Sequence, residues 1–318
     1  MRQRPLVVVA GVLTRADGHC LLAQRPPGKR EAGLYEFPGG KLRPGESLEA
    51  ALARELDEEL GIRIGPAQRW RCVRQPLGAG RVLHLHALRV ASWQGEPQAH
   101  DHQCLRWVRP AELIRYPMPV ADRPLAASLA FPRHYLITPA VVEAVLPGLR
   151  QSLARARAAG WLQDLAVCLR LPGVDRQRLH EVALAVRQLT RAEGIPAILH
   201  GDAELAEALD YEGLHSSAAQ MRAVSGRPVS ASRWWIASCH DRAELAQADA
   251  LGADLATLSP VQPSLSHPGA PSLGWKRFAA LARHANLPLL ALGGLAPADL
   301  NTAQQHGAHG IAGIRGFW

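Results

Sequence analysis

Cysteine is scarce in this 318-residue chain. The five that occur, Cys20, Cys72, Cys104, Cys168 and Cys239, are odd in number, far apart and never spaced as CxxC. That excludes a disulfide framework and a cysteine-built zinc site, and a reducing, cytoplasmic setting is expected. No apolar run is long enough to span a bilayer, so no membrane partner is expected. Low-complexity tracts and blocks of one charge sign are also missing; with 47% hydrophobic and 20% charged residues, the composition is that of a globular chain. Arg2 and Arg4 precede an apolar stretch at 6–13, but Gly11 leads into Thr14-Arg15-Ala16-Asp17-Gly18 without a small-residue cleavage pattern. The stretch reads as a first β-strand and not as a secretory signal.

The net charge of +8 is unevenly placed. Residues 1–134 hold 20 Lys and Arg against 13 Asp and Glu, whereas residues 135–318 hold 16 against 15. No basic run is interleaved with aromatic residues, so duplex nucleic acid is not expected as a partner. A compact polyphosphate ligand accounts for the surplus, and so does a solvated arginine-rich surface.

The length suits two domains. Apolar alternation marks strands at 6–13, 20–24 and 82–90, with a helical period at 48–60 between them. From Tyr135 the rhythm changes to short apolar runs alternating with helical segments, at 135–138, 165–170, 196–200, 213–216, 234–238, 254–259, 288–293 and 310–314. Eight β-then-α units in succession predict a closed (β/α)8 TIM barrel. The junction is placed at Phe131-Pro132-Arg133-His134, where Pro132 interrupts a helix, giving domains of 1–131 and 135–318.

Residues 40–62 read GKLRPGESLEAALARELDEELGI. As a helix, 48–60 puts Leu52, Leu56 and Leu60 on one stripe and Glu55, Glu58 and Glu59 on the next. Four residues after Glu55 comes Glu59, and four after Glu58 comes Ile62; Arg63, beyond Glu59, is the single candidate partner in that direction. Crowded like charges destabilise a helix, and a hard divalent cation bound by carboxylate oxygens offsets that cost, Mg2+ being the natural choice beside phosphates and Mn2+ its substitute. Gly39 and Gly40, just before, permit close approach of the backbone to an ion or a phosphate.

Gly40, Glu46, Arg54, Glu55, Leu56, Glu58, Glu59, Gly61 and Ile62 stand at the spacing of the Nudix box, and the segment resembles a Nudix hydrolase. The resemblance implies an α/β/α sandwich that splits the pyrophosphate link of a nucleoside diphosphate derivative, with metal ligands at Gly39, Glu55, Glu58 and Glu59, Arg54 orienting a glutamate, and Glu46 supporting the metal shell. Asp101, in Ala99-His100-Asp101-His102-Gln103, sits where the MutT-like subgroup carries a further metal-binding or base-like acid; His100 and His102 read as exposed loop histidines, with metal ligands as the alternative. The likeness to that subgroup runs from Val7 to about Pro124, through Gln24-Arg25, Tyr35-Glu36-Phe37-Pro38-Gly39-Gly40-Lys41, Trp93-Gln94-Gly95-Glu96-Pro97, Trp107 and Ala121-Asp122-Arg123-Pro124. It implies a nucleoside triphosphate substrate, 8-oxo-dGTP first, in the service of nucleotide-pool sanitation and DNA repair. Arg25 and Phe37 would border the nucleotide and Asp122 would face the base. The subgroup has Asn at that place; an ionised Asp cannot donate a hydrogen bond, whereas a protonated one can. Asp122 also reads as a loop residue opposite Arg123 or a helix cap. The alternatives within the family are NADH, ADP-ribose or an RNA 5′ end.

The stretches Ala253-Asp254-Leu255-Ala256-Thr257-Leu258-Ser259-Pro260-Val261, Pro288-Leu289-Leu290-Ala291-Leu292-Gly293-Gly294-Leu295 and Gly307-Ala308-His309-Gly310-Ile311-Ala312 resemble a thiamine-phosphate synthase barrel. By that resemblance Ser238, Gly293, Gly294, Gly313 and Ile314 would cradle the phosphate of a small ligand. The family's diphosphate and metal residues are changed: Gln-x-Arg-x-Lys is Cys168-Leu169-Arg170-Leu171-Pro172, Asn-Asp is Gly201-Asp202, a second metal-binding Asp is Gln220, and Thr-x-Thr-Lys is Ser264-Leu265-Ser266-His267. The expectation is a barrel that binds or senses a phosphorylated ligand without thiamine-phosphate synthesis, a bifunctional enzyme being the alternative.

Overall fold

The computed structural model describes residues 4–263 and 271–318. The chain divides into two compact units, 1–130 and 131–318.

The first unit runs β1 (Leu6–Leu13), β2 (Cys20–Gln24), β3 (Tyr35–Glu36), α1 (Leu48–Leu60), β4 (Arg63–Ile64), β5 (Ala67–Gly78), β6 (Arg81–Val90), β7 (Trp93–Gln94), β8 (Cys104–Val108) and α2 (Arg123–Ala130). Its sheets are ordered β1-β6-β5, β3-β2-β8 and β4-β7, with β1 parallel to β6. Strand β5 was not legible as alternation, because Arg69, Arg71 and Arg74 interrupt it and it carries Pro76; pairing with β6 absorbs these with register shifts at Arg69/Arg71 and Pro76/Gly78. Apolar side chains lie on both faces of the strands. Leu52, Leu56 and Leu60 of α1 pack on Val9, Leu13, Leu88 and Val90 from one side, while Leu125 and Ala126 of α2 join Val12, Val73 and Leu85 on the other. This is the α/β/α sandwich. Gly11, in the middle of β1, lets α1 come close: a Cβ there would meet Leu56 Cδ1 at 3.1 Å and Leu52 Cδ1 at 3.2 Å.

The second unit runs β9 (His134–Ile137), α3 (Val142–Ala158), β10 (Leu165–Leu169), α4 (Arg176–Glu193), β11 (Ala197–His200), α5 (Ala203–Ala208), β12 (Gly213–Ser216), α6 (Ala218–Arg222), β13 (Trp234–Cys239), α7 (Arg242–Ala250), β14 (Leu255–Leu258), α8 (Gly274–Ala282), β15 (Leu289–Leu292), α9 (Leu300–Gln305) and β16 (Gly310–Gly313). The eight strands are parallel, and β16 closes on β9 through Ile311 opposite His134 and Gly313 opposite Leu136. Residues such as Leu136, Val167, Leu199, Trp235 and Ala256 face the helices. Their neighbours on the strands alternate inward, so Tyr135, Cys168, His215, Ser238 and Thr257 share the barrel interior. There Tyr135 Oη and His215 Nδ1 are 3.1 Å apart, and His215 Nε2 lies 2.9 Å from Ser238 Oγ. Burial holds His215 far below its ordinary pKa and pushes Tyr135 far above, so this chain of polar groups is uncharged. Among the described residues no helix is long and apolar enough to cross a membrane.

Candidate active site

Helix α1 presents its glutamates because both ends are fixed. Ser47 Oγ accepts from Ala50 N–H at 3.1 Å, and Gly61 ends the helix in the left-handed conformation. With the leucine stripe buried, Glu55 and Glu59 turn toward the loop 38–42, which lies along β1: Gly11 N–H donates to Pro38 O, Val9 N–H to Gly40 O and Leu42 N–H to Val7 O, at 2.8, 2.8 and 3.1 Å. The carbonyl of Gly39 lies between two that are spent on β1.

The two glycines are needed for different reasons. Gly39 has φ +149°, and a Cβ would fall 2.2 Å from Val9 O, a backbone atom that cannot yield. At Gly40 the added carbon would meet the Glu55 carboxyl carbon at 2.3 Å, a flexible side-chain end. Gly39→Ala is therefore expected to destabilise the unit by roughly 1–3 kcal/mol of backbone strain plus the overlap. Gly40→Ala should leave thermal stability near wild type while displacing Glu55 and lowering activity. Parallel melting curves and turnover assays separate the two outcomes.

The glutamates are not left unrelieved, which corrects the partner count made along the helix in one direction. Arg54 Nε and Nη2 hold both oxygens of Glu46 at 2.7 and 3.0 Å, Nη1 reaches Glu55 Oε1 at 2.8 Å and Glu58 Oε2 at 3.3 Å, and Nη2 donates to Lys41 O at 3.1 Å. Arg43 Nη2 adds 3.2 and 3.3 Å contacts to Glu58. Arg54, with the Arg43 N–H, holds the Glu46 carboxyl down at about 2. Glu59 pairs with His102 and not Arg63: its Oε2 lies 3.2 Å from His102 Nε2 and accepts from Gly39 N–H at 3.2 Å. Among the described residues no three His, Cys, Asp or Glu side chains stand in the geometry of an assembled cation cage. The donor set, two carboxylates beside a glycine loop that a Cβ would obstruct and a third on the same helix, nevertheless suits a hard divalent ion.

Asp101 lies exposed in the loop before β8. That loop folds back over the end of α1, with Gln98 N–H donating to Leu60 O at 3.0 Å and His100 N–H to Glu59 O at 3.1 Å. His100 is exposed as expected, whereas the His102 side chain is only 3% exposed. The fold-back, invisible in local sequence, buries it.

At the other flank Phe37 is buried and its N–H donates to Asp122 Oδ1 at 3.1 Å. Asp122 Oδ1 reaches across the unit to Phe37, while its carbonyl accepts from Leu125 and Ala126 at the start of α2. Burial pushes its carboxyl up to about 8, Glu36 adding to the rise and the Phe37 N–H opposing it. Arg25 Nη1 pairs with Glu36, and Nε donates to Arg30 O at 2.8 Å. Glu36 was part of the quoted stretch but carried no role in the sequence reading; burial raises its carboxyl against the pull of Arg25.

In the barrel, Ser238 sits near the end of β13, Gly293 and Gly294 directly after β15, Gly313 at the end of β16 and Ile314 after it, all at the C-terminal ends of the strands. Gly293 and Gly294 have φ of +109° and +70°, and a Cβ at either would come within 2.8 Å of Pro260 Cα or Pro263 O. Asp202 Oδ1 caps α5 through Leu205 N–H at 2.9 Å. Gln220 Oε1 accepts from Ser217 N–H at 3.0 Å, and its Nε2 donates to Gly201 O at 2.9 Å, linking the loops after β11 and β12. Arg170 N–H donates to Thr138 Oγ1 at 2.9 Å. The Ser264-Leu265-Ser266-His267 stretch lies outside the described residues.

Residues 4–129 match the family model of the NUDIX domain and residues 135–317 that of thiamine monophosphate synthase. The chain is 48% identical over 118 residues to a CTP pyrophosphohydrolase of Escherichia coli, covering 37% of this chain and 86% of that protein. It is 32% identical over 137 residues to an 8-oxo-dGTP diphosphatase of Haemophilus influenzae, covering 43% of this chain and all of that protein. The barrel is 31% identical over 138 residues to a thiamine-phosphate synthase of Chloroflexus aurantiacus, covering 43% of this chain and 63% of that protein.

Proposed function

The chain belongs to the Nudix family across residues 4–129 and to the thiamine monophosphate synthase family across 135–317, and from that premise we propose that its first unit is a Mg2+-dependent nucleoside triphosphate pyrophosphohydrolase. The carrying observation is Glu59 at Gly39 and Glu55 at Gly40, with Glu58 beside them on the same helix and joined to Glu55 through Arg54. Those glutamates, with the Gly39 carbonyl, would hold the cation, which supplies charge neutralisation at the polyphosphate and lowers the pKa of the attacking water. In the reaction a water oxygen bonds to one phosphorus of the P–O–P bridge, the bridge breaks, and the departing phosphate group takes the electron pair, giving a nucleoside monophosphate and pyrophosphate. Glu55 or Asp101 takes the proton from the water, and Arg54 fixes the Glu55 carboxylate.

The proposed substrate is 8-oxo-dGTP, bordered by Arg25 and Phe37. A carboxyl with a pKa of about 8 is mostly protonated at pH 7 and offers one donor and one acceptor. That pair matches O6 and N7–H of 8-oxoguanine, and it mismatches guanine, where both atoms are acceptors. It also matches N3 and N4–H of cytosine, and the relative named for CTP makes CTP the second reading. A turnover panel of 8-oxo-dGTP, dGTP, CTP, dCTP, NADH, ADP-ribose and triphosphorylated RNA separates them; if ADP-ribose or RNA outruns every triphosphate, the proposal fails.

At pH 7 the expected preference for 8-oxo-dGTP over dGTP in kcat/KM is roughly 5- to 150-fold, the worth of one buried mispaired group at about 1–3 kcal/mol. It should fall as pH rises through about 8, where Asp122 ionises. Asp122→Asn should retain the preference and make it independent of pH. Stability follows the same group. Its folded pKa lies above the unfolded value, so the stability it contributes is complete below about pH 4 and is lost as pH rises toward 8. The Asn variant should thus melt higher than wild type at neutral and alkaline pH, whereas identical pH profiles of the substrate preference for both proteins would show that Asp122 does not read the base.

For the barrel we propose a phosphorylated small ligand at Ser238, Gly293, Gly294, Gly313 and Ile314, held without thiamine-phosphate synthesis. The support is that Asp202 and Gln220 are committed to the fold, one capping α5 and the other joining two loops.

A further inference from the structure

We propose that His102 is a positioning residue of the hydrolase site: it orients the Glu59 carboxylate and thereby latches the Asp101 loop onto helix α1. The inference rests on the cation-dependent reading of Glu59.

The loop reaches the helix through three successive contacts at alternate residues. Gln98 and His100 donate backbone N–H groups to the Leu60 and Glu59 carbonyls, and the His102 side chain then meets the Glu59 side chain. The backbone pair docks the loop on carbonyls left open at the helix end. The side-chain contact ties the same loop to a proposed ligand.

Chemistry fixes the direction of that contact. An ionised carboxylate only accepts, so His102 Nε2 carries the proton and donates to Glu59 Oε2. Gly39 N–H donates to the same oxygen. Both protein donors therefore converge on Oε2, which leaves Oε1 as the oxygen for a cation and fixes the rotation of the carboxylate. Hydrogen bonds of this kind to a ligating group set its orientation and its basicity.

A second observation sets His102 apart from an ordinary packed histidine. Its Nδ1 is buried with no hydrogen-bond partner. A ring retained only to knit a loop would be expected to satisfy both nitrogens. Here one nitrogen serves Glu59 and the other is a buried acceptor.

Sequence reasoning named His102 but not its contact with Glu59, because that partner is 43 positions away. Asp101 is the acid to which the sequence resemblance gives a metal-binding or base-like role. His102, adjacent to it, sets where that acid is held.

The test uses the full-length chain and Mg2+ alone, titrated calorimetrically without substrate, together with 15N-histidine NMR. Wild type should show His102 protonated on Nε2, with the signal moving on Mg2+ addition. His102→Ala should weaken Mg2+ binding about 10- to 100-fold. His102→Gln, whose amide N–H can reach the Nε2 position, should recover most of that loss, and the shorter His102→Asn should not. Asp101→Asn should lower kcat in wild type and add little in the His102→Ala background, because the loop is already released. Should His102→Ala misfold, the Gln and Asn pair decides between latch and packing. Wild-type Mg2+ affinity in His102→Ala, alongside loss of it in Glu59→Gln, overturns the role of His102 and leaves the site intact. Unchanged affinity in Glu59→Gln as well removes the cation reading beneath it.

Discussion

Glu58→Gln, or Glu55→Gln, is expected to remove cation-dependent hydrolysis while the protein stays folded. Gln keeps the shape of Glu and deletes one charged oxygen. The fold tolerates this because the Arg54 guanidinium keeps its two-point hold on Glu46 and its bond to Lys41 O whichever glutamate is changed. At Glu58, with its side chain 47% exposed, the lost ion pairs are of the surface kind, worth about 0–1 kcal/mol. Turnover responds on another scale. Loss of one preorganised group facing developing charge costs about 10²–10³-fold, and a charged ligand that also places the cation should cost on the order of 10³-fold or more. Glu55, 14% exposed and lying against Gly40, should be the more sensitive of the two. Circular dichroism and pyrophosphate release provide the readouts, and a well-folded double variant that turns over like wild type refutes the cation role of this stripe.

The second large effect is an absence of product. Full-length protein carrying Glu58→Gln, which keeps the first unit from consuming diphosphates, should form no sustained thiamine phosphate from the pyrimidine diphosphate, thiazole phosphate and Mg2+. Departure of a diphosphate separates charge and depends on cations fixed around it. Where the resembling family has a lysine two positions after its arginine, this chain has Pro172 after Arg170. One metal-binding acid is replaced by Gln220, whose amide is bonded to Gly201 O, and the remaining Asp202 is occupied in capping α5. One capping carboxylate is a poor seat for Mg2+. Chromatographic detection of steady thiamine-phosphate formation, abolished by Asp202→Ala, would show that the chemistry needs fewer of these groups than argued here.

The parts of the fold legible in sequence are those written in local period. The leucine stripe of α1 and its neighbouring glutamates follow from spacing alone, and the eight apolar runs of the second half mark strands β9 to β16 to within a residue or two. Strand β5 escaped because its pairing with β6, not its own alternation, makes it a strand. At the site, Glu55, Glu58, Glu59 and Gly39 share a short stretch and could be read together. Arg54 was assigned one glutamate to orient and in fact meets three, since its reach runs back to Glu46 as well as forward. The two most informative contacts, Asp122 to Phe37 and Gln220 to Gly201, join residues 85 and 19 positions apart. Neither has a periodic signature, because each depends on how separate loops meet at the ends of strands.

The fan of Arg54 also bears on how many ions the proposed site would take. Glu46, Glu55, Glu58 and Glu59 bring four negative charges to the helix face, and Arg54 and Arg43 return two positive ones. Among these paired groups the remainder is two negative charges, which would balance one divalent ion in the proposed site. A second ion entering this cluster would leave it with excess positive charge unless it arrived with its own counter-charge, and a polyphosphate chain brings that. Occupancy by a single ion should then follow free Mg2+, and occupancy by a pair should follow the nucleotide.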